Sequence, residues 1–235
     1  AQQPPLGADT EIIVVDNNSS DASAAVVAAA AAQGLAVRRV IELRQGLSHA
    51  RNRGLAEALG ELILFTDDDV LLDSHWLQEY RCAAQHFALA SFFGGRIRPY
   101  WPKGRPRWVR DESMALLAGI FGCVDHGLDS REYRAGEEGP LGASFAVRRP
   151  LFDSVGAFDP RFGRSGNDLG RGEEAAFFKE ARAAGHVGVY VGGAFCRHHV
   201  QPQRLGLCAL YRYGIASAQS HRALVNEQAH GSLFR

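Results

Sequence analysis

Asp67, Asp68 and Asp69 stand side by side at the end of the apolar run Glu61-Leu-Ile-Leu-Phe-Thr. Three adjacent carboxylates repel one another, and a bound cation relieves that repulsion. Side chains alternate along extended backbone, so Asp67 and Asp69 face the same way. Oxygen ligands of this kind suit Mg²⁺ or Mn²⁺, ions that often complete their shell with substrate phosphates. The simpler alternative has one aspartate capping the next helix and the others facing water; a position at the C-terminal end of a strand favours the metal. Glu173 and Glu174 open a second acidic site just after Gly172. If they begin a helix, its N-terminus favours their ionised form. One can then accept from first-turn amides while the other faces a cleft and takes a proton from an incoming hydroxyl. Glutamates at helix starts are also common without any such role. His198 and His199 end an extended segment, and either can serve as a metal ligand or as a structural histidine.

These residues need elements to carry them. Glu11-Ile-Ile-Val-Val reads as a strand covered on both faces. It runs into Asp16-Asn17-Asn18-Ser19-Ser20-Asp21, where Ser20 or Asp21 can cap the alanine-rich helix that follows. Val37–Leu43 reads as a second strand, Leu47–Leu59 as a helix capped by Ser48, and Glu61–Phe65 as a third strand. This order puts Asp16 and Asp67–Asp69 on one edge of an open α/β sheet, where ligands bind. Further strands are expected at Ser91–Gly95, Gly142–Val147, Val187–Val191 and Phe195–His199, with helices at Leu151–Val155, Glu173–Ala184 and Leu205–Ser220. Phe162–Gly172 reads as a glycine-rich loop. A run as apolar as Glu11–Val15 suits a strand deep inside a sheet, so a strand and a helix are expected to precede these 235 residues.

Between Arg96 and Arg110 there are six basic residues and no acid, interleaved with Tyr100, Trp101 and Trp108. That stretch either folds over a phosphorylated or sugar ligand or is an irregular loop of solvated arginines. The whole chain is neutral, with 26 basic and 26 acidic side chains. A non-specific nucleic-acid binder carries a large positive excess, so no nucleic-acid partner is expected. Apolar content of 46% excludes disorder. The Ala22–Val37 run is too short and too weakly apolar to span a membrane, and the opening residues lack the pattern of a secretory leader. Cys82, Cys123, Cys196 and Cys208 match no metal knuckle or redox pair and are expected to be buried thiols. There is no Walker loop, no Gly-x-Gly-x-x-Gly after a strand and no Gly-x-Ser-x-Gly elbow, so the common kinase, dehydrogenase and hydrolase readings fall away.

In order along the chain, EIIVVDNNSSD (Glu11–Asp21), GLSHARN (Gly46–Asn52), ELILFTDDDV (Glu61–Val70), GASFAVRR (Gly142–Arg149), VGAFDPRFG (Val155–Gly163) and GEEAAFFKEARAAGH (Gly172–His186) resemble the blocks of inverting family-2 glycosyltransferases. His198 matches that family's late histidine. The resemblance reaches to about residue 200. It implies the GT-A fold: an α/β domain with a Rossmann-like, mostly parallel sheet flanked by helices and a small antiparallel part on the acceptor side. Residues 1–200 would form one domain, with a nucleotide-sugar half at 1–90 and an acceptor half at 91–200. Residues 201–235 would form a helical tail.

The resemblance also implies roles. Asp16 and Asn17 would contact the base and ribose of a UDP, GDP or dTDP sugar, and Arg51 would lie near the nucleotide or diphosphate. Asp67 and Asp68 would sit at the ribose, and Asp67, Asp69 and His198 at a Mn²⁺ or Mg²⁺ ion. Glu174 stands at the family's usual aspartate and would be the general base; Glu173 would orient acceptor or sugar hydroxyls. Many members carry Asp where Asn17 stands. The implied reaction is inverting sugar transfer to a glycan, a lipid-linked sugar or a small hydroxylated molecule, in bacterial polysaccharide, lipopolysaccharide or glycolipid synthesis. The implied location is the cytoplasm, with peripheral contact at the inner face of the membrane, through the tail, if the acceptor is lipid-linked. Three alternatives are a sugar-phosphate nucleotidyltransferase, a non-catalytic nucleotide-sugar or carbohydrate-binding domain, and a scaffold. The two acidic clusters speak against the last.

Overall fold

The computed structural model describes residues 2, 6–110, 118–162, 172–206, 211 and 214–215. The branched run Ile12–Asp16 forms β1, paired in parallel with β2 (Val37–Ile41) from Ile12 opposite Val37 to Asp16 opposite Ile41. Between them lies α1 (Ser23–Ala32). The N-cap position falls to Ala22 and not to Ser20 or Asp21, although the Asp21 carboxylate accepts from the Ser23 amide at 2.9 Å just before the helix. Helix α2 (Leu47–Glu57) follows Gly46. Ser48 does not cap it: its buried hydroxyl donates to the Phe162 carbonyl at 2.8 Å.

The remaining strands form one mixed sheet. They are β3 (Leu62–Thr66), β4 (Val70–Leu72), β5 (Ala90–Tyr100), β6 (Arg131–Glu132), β7 (Ser144–Arg148) and β8 (Val187–His199). Their order is β3-β7-β5-β8-β4, with β6 also on β8. Only β5 and β8 run parallel; β3–β7, β5–β7, β4–β8 and β6–β8 are antiparallel. The parallel pairing, expected for most of the sheet, is thus confined to β1–β2 and β5–β8, and the antiparallel part is larger than expected. The two late segments expected at Val187–Val191 and Phe195–His199 are one strand, which passes its irregularity at the bulge beside Gly95. Most of Phe162–Gly172, most of the helix expected at Leu205–Ser220, and Cys208 lie outside the described residues. Cys196 is buried as expected, whereas Cys82 is exposed and Cys123 half-buried.

Alternation along the strands divides the core into two layers. On one face, Phe93, Ile97, Ala146 and Val189 pack with Trp76, Tyr80 and Ala83 of α3 (Trp76–His86). On the other, Phe92, Phe145 and Val147 meet α4 (Arg149–Val155) and α5 (Glu173–Ala183) through Leu151, Phe152, Phe177 and Phe178. Leu55 of α2 and Ala58 just beyond its end join this second layer. The opposite end of the same helix turn reaches β1, where a Cβ on Gly54 would lie 3.2 Å from Val15. Helix α2 therefore bridges β1 and β3. Among the described residues each of those strands has a single strand neighbour, and the two face one another across a cleft of about 2360 Å³ lined by Ile12–Val15 and Leu62–Phe65.

Ser144 ties α3 to the sheet that ends at the cleft. Its buried hydroxyl takes the Trp76 indole N–H at 2.8 Å and lies 2.9 Å from the Tyr80 hydroxyl. A Cβ on Gly95 would come within 2.4 Å of that oxygen, so only glycine fits beside it. Replacing Ser144 with alanine leaves the indole N–H buried without its acceptor, which costs about 1–3 kcal/mol. S144A should show that loss in urea unfolding; an unchanged midpoint would mean the trio adds nothing.

Candidate active site

All nine residues singled out by sequence, Asp16, Asn17, Arg51, Asp67–Asp69, Glu173, Glu174 and His198, line the one cleft. They do not all present free polar atoms to it.

At the β1 end, Asp16 is buried and already engaged. The Ser19 amide donates to it at 2.8 Å, and Arg39 Nε donates at 2.7 Å. Together these bonds hold the Asp16 carboxyl down at about 2. Asn17 is a buckle. Its side-chain NH₂ donates to the carbonyls of Glu42 and Arg44 at 2.7 and 2.8 Å, and its Oδ1 accepts from the Gly46 amide at 2.8 Å. One amide thus fixes the end of β2 to the start of α2, whatever it also offers a ligand.

Helix α2 makes the next connection. Asn52 exchanges two hydrogen bonds with the Phe158 backbone at 2.7 and 2.9 Å, which together with the Ser48 bond clamps the Phe158–Phe162 segment against the helix. Between them Arg51 turns inward and is 6% exposed. Its Nη1 donates to Glu173 Oε1 at 2.7 Å and lies 3.6 Å from Glu174 Oε2. Nη2 lies 3.8 Å from Asp67 Oδ1 and donates to the Gly142 carbonyl at 3.3 Å. The guanidinium also rests over the Phe145 and Phe158 rings, 5.4 and 5.7 Å from their centroids, where ring quadrupoles favour a cation. Arg51 is therefore spent on acidic side chains rather than pointed at open cleft. Removing one partner of a buried ion pair typically costs about 3–5 kcal/mol, because the other charge is left uncompensated.

Glu173 and Glu174 open α5 as expected, and the structure separates their states. Burial and the neighbouring Glu174 charge push Glu173 up to about 7, against the pull of Arg51. Burial pushes Glu174 up as well, but the Arg51 charge, a hydrogen bond from Glu173 and the amides of its own residue and Gly142 outweigh it and leave it lowered. The Gly142 amide donates to Glu174 Oε1 at 3.1 Å, while Oε2 is buried with no hydrogen-bond partner. A Cβ on Gly142 would strike Arg51 at 2.6 Å and Glu174 at 2.9 Å, so this glycine lets both side chains converge. Its place in GASFAVRR was visible in the sequence, although its contact with residues 51 and 174 was not.

At the other end, β3 leads into Asp67–Asp69 and β4 carries the chain back along β8. One ligand atom each from Asp67, Asp69 and His198 lies within 4.8 Å of the others. Asp68 is exposed and stands outside this group. The His198 Nδ1 lies 3.1 Å from the Phe121 carbonyl, and its Nε2 lies 3.4 Å from Asp69 Oδ1. A proton on Nδ1 donated to that carbonyl leaves the Nε2 lone pair for a metal, the usual way a backbone oxygen fixes a ligating histidine. Two carboxylates and an imidazole fit Mn²⁺ or Mg²⁺. Burial pushes the Asp67 carboxyl up, against the Arg51 charge. A bound cation would reverse that.

Sheet and helices together make a GT-A-type fold. The sequence pattern of Glycosyl transferase family 2 matches residues 1–153, and the chain belongs to that family. Among curated relatives, it is 26% identical over 186 residues to the succinoglycan biosynthesis protein ExoM of Rhizobium meliloti, covering 79% of this chain and 55% of that one. It is 24% identical over 131 residues to the glucosyl-dolichyl phosphate glucuronosyltransferase of Haloferax volcanii, covering 56% and 40%. The chain thus spans about half the length of the curated relatives it matches. Among solved structures, the mannosyltransferase PcManGT of Pyrobaculum calidifontis in complex with GDP-Man and Mn²⁺ superposes with a TM-score of 0.58 at 22% identity, covering 82% of this chain and 48% of that one. GalNAc-T7 with UDP, GalNAc and Mn²⁺ gives 0.59 at 17%, covering 82% and 38%. These likenesses show the fold.

The raised Glu173 fixes the sign of a pH effect. Between its ordinary 4.5 and about 7, the folded protein holds a proton that the unfolded chain has released. The associated stability is complete below the unfolded value and is lost as pH rises through the folded one. E173Q, neutral throughout, escapes that loss. Its unfolding temperature relative to the parent should climb between pH 5 and pH 8, and a flat difference would contradict the assignment.

Proposed function

We propose that this domain transfers a sugar from a nucleotide diphosphate donor to a hydroxyl acceptor with inversion, and that Glu174 is the general base. The observation that carries this reading is the Glu174 Oε2, buried without a hydrogen-bond partner in the cleft that also holds the Asp67, Asp69 and His198 group. Arg51 lies within 4 Å of both Glu174 and Asp67, which links base and donor end through one side chain. The acceptor hydroxyl passes its proton to Glu174 Oε2 as its oxygen attacks the anomeric carbon from the face opposite the leaving diphosphate. Arg51 and the Gly142 amide keep the carboxylate ionised and aimed before that transfer. Glu173, protonated in the same pair, holds Arg51 in place. Asp67, Asp69 and His198 would hold Mn²⁺ or Mg²⁺, which would offset the charge developing on the leaving diphosphate. Asp16, Asn17 and Asp68 would form the base and ribose end.

Two relatives bear on the substrates. One is a succinoglycan biosynthesis protein and the other a glucosyl-dolichyl phosphate glucuronosyltransferase. A glycan or lipid-linked acceptor at the inner face of the cytoplasmic membrane follows as the proposed setting. No helix among the described residues is long and apolar enough to cross a membrane.

E174Q should lower transfer roughly 10²–10⁴-fold, the worth of a positioned general base, while nucleotide binding persists. Undiminished transfer by E174Q would remove Glu174 from the chemistry, and donor binding with no turnover in either protein would favour a binding module. Calorimetric titration of UDP, GDP and dTDP, each with and without Mn²⁺, should select one nucleotide in a metal-dependent manner. D69A should abolish that metal dependence; if it persists, the Asp69 ligand assignment is wrong.

A further inference from the structure

The ends of β4, β5 and β8 turn a second face away from α3. Ile97 and Cys196 point into the core, so Arg98, Tyr100, Arg197 and Leu71 point the other way, with Arg197 in register with both Arg98 and Leu71. The Arg197 guanidinium lies over the Tyr100 ring at 5.9 Å, and Tyr100 faces the His199 ring at 6.3 Å. Leu71 is 48% exposed and Tyr100 36%. Asp125 pairs with Arg98, which remains exposed.

The chain then leaves β5 directly into the segment 101–110. Its two ends are pinned inward: Trp101 packs edge-on against Phe121 at 5.0 Å, and Val109 is buried with Phe121 and Val200. Backbone bonds from Gly104 to Trp101 at 3.0 Å and from Val109 to Pro106 at 3.0 Å fold what lies between into two turns. That fold presents Lys103, Arg105 and Arg107 outward, with Trp108 46% exposed. A neutral protein has thus placed exposed cations and amphipathic rings on the outer face of β5 and on the segment that directly follows it.

We propose that this surface, the segment 102–108 together with the outer face of β4, β5 and β8, docks the protein on an anionic lipid bilayer. Exposed Lys and Arg beside exposed Trp and Tyr is the combination that suits a charged headgroup layer, where rings sit at the interface and cations meet lipid phosphates. A soluble anion would need the cations to converge on a pocket; here they project from turns and from a flat sheet face, the shape of a contact with an extended surface. The inference deepens the lipid-linked branch of the proposed function by placing its membrane contact on this face. It does not require that the domain transfers sugar.

The test is co-sedimentation with vesicles of phosphatidylcholine alone and of phosphatidylcholine with 30% phosphatidylglycerol, with neither donor nor acceptor present. Binding should appear only with the anionic vesicles and fall steeply between 50 and 400 mM salt. Each basic residue near such a surface contributes about fivefold in partition, so K103A/R107A should bind roughly 30-fold more weakly. W108A should also weaken partition, which a purely electrostatic attraction to a soluble polyanion would not require. Thermal unfolding and Mn²⁺-dependent nucleotide binding by these variants report that the fold and cleft are intact. Equal partition onto neutral vesicles, no partition at all, or undiminished binding by K103A/R107A overturns the proposal. Unaltered partition by W108A together with displacement by heparin overturns it in favour of a soluble polyanion. Loss of nucleotide binding or turnover in the parent protein would instead count against the proposed function and leave the vesicle result standing.

Discussion

A single buried guanidinium organises the site. Arg51 comes from the middle of α2 and meets Glu173 and Glu174 at the start of α5, Asp67 at the end of β3 and the Gly142 carbonyl before β7. Three carboxylates around one cation leave the group net negative if all are ionised, and the protein interior tolerates that poorly. Two features relieve it: Glu173 retains a proton up to about pH 7, and the Asp67 end adjoins the group suited to a divalent ion. The electrostatics of base and donor end are therefore not separable. A change of charge at one is felt at the other through the same side chain.

The helix that carries Arg51 is equally constrained on its remaining faces. Gly54 allows close approach to β1, Leu55 and Ala58 bury against the phenylalanine layer, and Ser48 and Asn52 hold the Phe158–Phe162 segment. The GLSHARN block thus fastens β1, the phenylalanine layer and the Phe158–Phe162 segment to one another. Its polar residues are occupied by protein groups. Asn17 behaves alike, since its amide joins β2 to α2 before any ligand is considered.

Much of this was legible from local pattern. The run Glu11–Val15, the alanine-rich helix, the triple aspartate and the paired glutamates each declare themselves within about a dozen residues, because a strand or helix is set by short-range periodicity. The grouping of Asp67, Asp69 and His198 was also anticipated. The partner of Arg51 was not, as Glu173 lies 122 residues away and no spacing encodes that pairing. The mixed character of the sheet was hidden for a related reason. The hydrophobic runs at β3, β5 and β7 are alike whether buried in parallel or antiparallel pairs, so sequence reveals the strands before it reveals their directions. The ion pair that Asp16 makes was not legible either, because its partner Arg39 sits on the neighbouring strand two register positions away, opposite Val14.

The facing edges of β1 and β3 have a consequence for the protein in solution. Among the described residues, neither has a second strand to receive its amides and carbonyls, and both are flanked by Ile, Val, Leu and Phe side chains. Such an edge is a template for any extended chain that comes within reach, including another copy of the protein. Whatever extended chain inserts into the cleft shields both edges at once, so colloidal behaviour and cleft occupancy are coupled through the same ten residues of backbone.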